Sequence, residues 1–190
     1  MSALIKPFHL TPFEKNINYK ANVNWDETIT FINERDTGVA EWSDLRWNHY
    51  GCRVYNNANI SIATSGTPQA LTFNSERFDV FGLHSTSLNT GRLKAVRSGV
   101  YSIFGSIEYA ANTTGQRFVF IMANGTTDIA AVSQNATAGG YPSLLSISTN
   151  YYLSSNEYVE LIALQNSGGA LDVIYTSSRS PEFGMMYVGE

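Results

Sequence analysis

The side chains able to do chemistry are few and widely spaced. His9, His49 and His84 lie far apart, and none stands in an H-x-x-x-H or C-x-x-C setting, the spacings that bring two ligands to one metal. His84 and Ser85 are neighbours, but a nucleophilic triad also needs an orienting acid and a strained nucleophile turn, and no G-x-S-x-G occurs. His84 is expected as an ordinary loop histidine. From Glu76 to Glu182 the carboxylates are scattered along the chain, without the facing pair that glycoside hydrolysis requires. Asp79, Asp128 and Asp172 fall in turn regions and are the candidates for calcium, yet no D-x-D-x-D-G loop surrounds them. Gly139-Gly140 and Gly168-Gly169 neither open a helix nor precede a lysine, so they are hairpin turns and not phosphate cradles. No catalytic residue, metal or cofactor is expected, and the chain is read as a non-enzyme.

Composition narrows the classes further. The chain has 190 residues, 43% of them apolar and only 15% charged, with a net charge of −4. That is enough apolar material for a packed core. Asn, Ser, Thr, Gly and Tyr stand in for the missing charge, and these residues favour turns and hydrated recognition surfaces. Lys and Arg never cluster, so no basic stripe exists to neutralise phosphates and nucleic acid is excluded as a partner. No window approaches the roughly 18 apolar residues of a membrane-spanning helix. Cys52 is the single cysteine and Met1 to Pro7 lacks the apolar core of a signal peptide. A cytoplasmic site of synthesis is therefore expected.

Three regions must position whatever the chain displays. Residues 1–24 read as an extended anchoring arm, because Pro7 and Pro12 discourage helix and Phe8, Leu10, Phe13, Ile17 and Tyr19 follow no period. Those apolar side chains, with Trp25, are the candidate anchor to another protein. Residues 25–51 read as a short helical neck: a first helix opened by Asn24-Trp25-Asp26-Glu27 and stopped by Gly38, then a segment with Val39, Trp42 and Leu45 at three-residue spacing. From Cys52 onward, short apolar runs alternate with Gly, Asn, Ser and Thr, the pattern of an antiparallel sandwich. The clearest strands are 99–109, 117–123, 128–134, 143–153, 157–165 and 182–188, with a tight hairpin at Asn124-Gly125. In the first of them Tyr101, Ile103, Ile107 and Tyr109 share one face. Two segments are apolar on both faces, Arg117 to Met122 and Phe183 to Val188. A second apolar face needs a cover, so Phe118, Phe120, Met122, Phe183, Met185 and Tyr187 are the expected subunit-interface residues.

The order of these β motifs resembles the complement C-one-q and tumour-necrosis-factor-like jelly-roll head. The resemblance runs through Leu71-Thr72-Phe73-Asn74, Phe78-Asp79, Arg92 to Ala95, and Ser98-Gly99-Val100-Tyr101-Ser102-Ile103-Phe104. It continues at Ala123-Asn124-Gly125, Leu153 to Leu161, and Pro181 to Met186, covering residues 52–190. Val96-Arg97 and Asn156-Glu157 depart from the Pro-containing and Gly-Asp turns of the pattern. The resemblance implies an all-β, two-sheet antiparallel jelly roll that assembles as a homotrimer. Trp42-Ser43-Asp44-Leu45-Arg46-Trp47-Asn48 is similar to the junction before the terminal head of phage fibre and adhesin proteins. Together these imply a phage virion protein, a head fibre or capsid decoration held to a capsid or tail protein by its arm. A tail-fibre tip recognising a host surface glycan or protein, and a secreted binding protein of the same fold, are the alternatives.

Overall fold

A computed structural model describes residues 50–63 and 66–190. The arm, the neck up to residue 49 and the anchor residues Phe8, Leu10, Phe13, Ile17, Tyr19 and Trp25 lie outside the described residues. In chain order the strands are β1 (Gly51–Tyr55), β2 (Ile60–Ile62), β3 (Gln69–Ala70), β4 (Ser75–Val80), β5 (Arg92–Lys94), β6 (Gly99–Tyr109), β7 (Gln116–Ala123), β8 (Thr127–Asn135), β9 (Ser143–Leu153), β10 (Tyr158–Gln165), β11 (Leu171–Val173) and β12 (Glu182–Gly189). The six strands expected from alternation are β6 to β10 and β12, with ends that agree to about one residue.

β6 is the spine of a seven-stranded sheet. β9 pairs along its whole length, from Gly99 opposite Leu153 to Tyr109 opposite Ser143. β12 pairs with β6 as well, β1 with β12, and β4 with β1 at the edge. β11 and β2 extend the sheet beyond Tyr109. The second sheet has five strands, with β10 and β8 flanking β7 and both β3 and β5 paired to β10. The β7–β8 turn is the one expected: Asn124 and Gly125 hold φ of 52° and 68°, the paired left-handed residues of a tight hairpin. All pairings are antiparallel, and the two sheets form a jelly-roll sandwich.

The core lies between the sheets because one side chain in two along the central strands is apolar and points there. Tyr101, Ile103 and Ile107 of β6 and Phe183 and Met185 of β12 meet Val119 and Ile121 of β7 and Val159 and Leu161 of β10, all fully buried. Phe73 stacks on Phe183 with ring centroids 5.8 Å apart. Each fully buried aliphatic or aromatic side chain of this kind contributes about 1.5–3 kcal/mol.

Register sorts the connections to two ends. Gly51 lies opposite Val80 and Met186, and Gly99 opposite Leu153. Tyr50, the 81–91 loop, the 95–98 and 154–157 turns and the C-terminus therefore share the end at which the chain enters. Tyr109 opposite Ser143, Arg117 opposite Gln165 and Gln116 opposite Asn135 mark the other end. Loops 110–115, 136–142 and 166–170 meet there.

Candidate interaction surfaces

The outer face of the seven-stranded sheet carries an unexpected set of side chains. Cross-strand register lays Val80, Gly51, Met186, Ser102 and Asn150 in one row, and Phe78, Arg53, Gly184, Phe104 and Ser148 in the next. Phe104 and Met186 are half-buried, with Tyr152, Leu144 and Val188 exposed around them. The Phe104 ring lies over Gly184, where an added Cβ would come within 2.4 Å of it. Glycines and serines beside these residues leave an open depression of about 320 Å³, lined by Arg53, Phe104, Ser106, Ser146, Ser148 and Glu182.

Two carboxylates are sunk into this face. Glu182 is 3% exposed and accepts hydrogen bonds from both Arg53 and Arg77, the Arg77 contacts measuring 2.9 and 3.1 Å. Arg77 also lies over the Tyr55 ring at 4.2 Å. Glu108 accepts from Arg179 Nε at 2.9 Å, while its own backbone N–H donates to Ser180 Oγ. Such paired, hydrogen-bonded carboxylates are structural, since every charge has its partner.

The outer face of the five-stranded sheet carries Phe118, Phe120 and Met122, all half-buried. The two phenyl rings are parallel, 6.2 Å apart. These three are where the apolar second face of β7 was expected. The other three expected interface residues are not beside them. Phe183 and Met185 are fully buried in the chain's own core, so no second copy can reach them. Tyr187 points to the same side, edge-on to Tyr101 at 5.4 Å. The physical reason is alternation: on β12 the core takes Phe183, Met185 and Tyr187, and Gly184, Met186 and Val188 face outward. The expected interface set is corrected accordingly.

At the distal end two buried polar side chains hold the loops. Arg117 and Gln165 are cross-strand partners, both fully buried. Arg117 Nη1 donates to the carbonyls of Thr114 and Gln116, at 2.9 and 3.1 Å, and Nη2 to that of Asn112 at 3.1 Å. Its Nε finds no partner. Burial pulls the Arg117 guanidinium below its ordinary range. Gln165 donates to the carbonyls of Ile62, Ala63 and Gly169 and accepts from the Ser167 N–H. Between the sheets, the Tyr109 hydroxyl shares its one proton between the Phe118 and Leu164 carbonyls, at 2.8 and 3.0 Å. The loops are also tied to one another. Ala136 N–H donates to Gly115 O, and Gln116 Nε2 to Asn135 Oδ1. Gly115, at φ +76°, lies so near Asn166 that a Cβ would fall 2.3 Å from its carbonyl oxygen. Only glycine fits that approach.

The remaining candidates are accounted for locally. His84 bonds Glu76 at 2.9 Å and the Thr90 carbonyl at 3.1 Å, with its side chain fully buried. Asp79 accepts the N–H groups of Leu83 and His84, and Asp128 and Asp172 sit on β8 and β11, one in each sheet. Among the described residues, no group of three His, Cys, Asp or Glu side chains could hold a metal. Asn156 occupies the left-handed region at φ 75°, taking over the conformation that glycine would supply in the related pattern. Sequence reasoning passed over Phe104, Met186 and the Arg53–Glu182 pair. Phe104 had a signal, since it is the one large apolar residue among Ser102, Ser106 and Glu108 on its face.

No protein-family model matches the chain, and no curated protein matches it. Solved structures do. An Eiger TNF from S. frugiperda superposes with a TM-score of 0.57 at 11% identity, over 75% of this chain and 94% of that one. Murine APRIL superposes with a TM-score of 0.56 at 8% identity, over 74% of this chain and all of that one. The fold is the TNF-like jelly roll. At these identities the likeness rests on strand order and packing, and the TNF-like head coincides with the region whose motifs carried the resemblance.

Proposed function

We propose that this chain is a non-enzymatic virion structural protein, a homotrimer anchored by its N-terminal region that displays the TNF-like head outward as a head fibre or capsid decoration. The outer face of the seven-stranded sheet supports assembly: Phe104 and Met186 are set among glycines and serines that leave room for a neighbour. The half-buried Phe118, Phe120 and Met122 are a second, smaller apolar surface. The first 50 residues supply the anchoring part of the reading, through Phe8, Leu10, Phe13, Ile17, Tyr19 and Trp25.

Sedimentation of the full chain tests assembly. A trimer is expected, and Phe104→Asp or Met186→Asp should reduce it to monomer without unfolding the sandwich, because both side chains lie outside the core. Phe183→Asp should prevent folding altogether. A wild-type monomer would overturn the assembly reading. For the anchor, a chain lacking residues 1–50 should fail to attach to particles that bind the full chain.

A further inference from the structure

The distal loops are polar without charge. Loops 110–116, 135–142 and 166–170 contain no Asp, Glu, Lys, Arg or His. Apart from Tyr141 their polar side chains are Asn, Thr, Ser and Gln, whose amides and hydroxyls both donate and accept hydrogen bonds. Tyr141 stands among them at 68% exposure, its ring laid against Gly139, where a Cβ would come within 3.1 Å. Most of that ring is open to solvent.

These loops are held in place from below. The buried Arg117 and Gln165 take up the carbonyls of Asn112, Thr114, Gln116 and Gly169, and the loops bond to each other through Gly115, Asn135 and Asn166. Solvated turns have no need of a buried cation without a carboxylate partner, which is costly to enclose. Preorganisation of a binding surface does explain it, because ordering entropy is then met on folding and not on binding. The cluster also lies at the end of the head opposite Tyr50.

We infer that the distal loop cluster is a recognition surface for a neutral, hydroxyl-rich glycan, with Tyr141 as the platform on which a sugar ring stacks. The inference deepens the display reading and rests on it. A neutral glycan fits because its hydroxyls match amide and hydroxyl groups of both polarities, and its apolar ring face matches an open aromatic. An acidic or basic partner would find no complementary charge. Three copies on one trimer would raise a weak single-site affinity by avidity.

The test is binding of the full chain to an array of neutral hexose and N-acetylhexosamine oligosaccharides, with sialylated and sulfated versions of the same backbones alongside. Binding to a neutral chain, at least tenfold above its acidic counterpart, is expected. Tyr141→Ala and Thr113→Glu should each lower it at least tenfold, while circular dichroism and sedimentation stay as in the unaltered chain. Arg97→Ala, at the opposite end, should leave it unchanged. No binding to neutral chains, a preference for acidic ones, or full binding by Tyr141→Ala would overturn the inference. Sedimentation of the same samples separates the two readings: a trimer that binds no glycan overturns only this one, and a monomer overturns the assembly beneath it.

Discussion

The two ends of the sandwich are built on opposite plans. At the entry end, charge and aromatic rings lie on the surface. Arg97 sits over the Tyr187 ring at 4.8 Å and the Tyr50 ring at 5.7 Å, and pairs with Glu190. Tyr50 in turn packs on Phe81 at 4.4 Å. At the distal end loops 110–116, 135–142 and 166–170 carry no charged side chain, and the cation that holds them, Arg117, is enclosed beneath. Exposed charges and rings are individually weak and replaceable. A buried guanidinium bonded to three loop carbonyls is neither, because removing it releases all three at once and leaves a void where it was enclosed. The entry end can therefore tolerate change, while the distal loops depend on single residues.

Arg117→Ala should separate the ends most strongly. It strands the carbonyls of Asn112, Thr114 and Gln116, with an expected loss of about 3 kcal/mol in urea unfolding, and early proteolytic cleavage in loop 110–116. If it costs no more than Arg97→Ala, the contrast between the ends fails.

Tyr109→Phe comes next, with about 1–2 kcal/mol lost at neutral pH as the Phe118 and Leu164 carbonyls lose a donor. It also carries a pH signature. Burial pushes the Tyr109 phenol up, so the folded chain holds this proton after an unfolded tyrosine has released it. Its stabilising difference is intact below the unfolded value of 10.0 and is lost as pH rises beyond it. Cys52, pushed up by burial, adds the same slope from 9.0. Unfolding followed across this alkaline range should show a shallower decline in Tyr109→Phe; an unchanged slope would remove the phenol from the account.

Arg97→Ala should cost only about 0.5 kcal/mol, since its cation–π contacts are at the surface. Smaller still is Tyr141→Ala, whose effect on thermal unfolding should stay within about 0.5 kcal/mol. A large loss there would make Tyr141 a structural residue and not a displayed one.

Much of this was legible in the letters. Tyr101, Ile103, Ile107 and Tyr109 alternate with small polar residues, and that period alone places β6 at 99–109. Asn124-Gly125 names its own turn because few residues accept paired left-handed dihedrals. The same alternation could not say which apolar face of the last strand is the inner one. Phe183 and Met186 look alike in sequence, and only the pairing of β12 with β1 and β6 sends one inward and the other out. Nor does anything near Glu182 in sequence announce Arg53, whose guanidinium arrives from 129 positions away.

The sequence by itself determined the boundaries of six strands, the hairpin and the scarcity of charge in three separate loops, because period, turn chemistry and composition are local properties. The tertiary structure alone decided that those loops share one end, that Arg117 and Gln165 lie beneath them as cross-strand partners, and that Phe104 and Met186 stand together on an outer face. Those facts depend on register between strands far apart in the chain, and register is set by burying all the apolar faces at once.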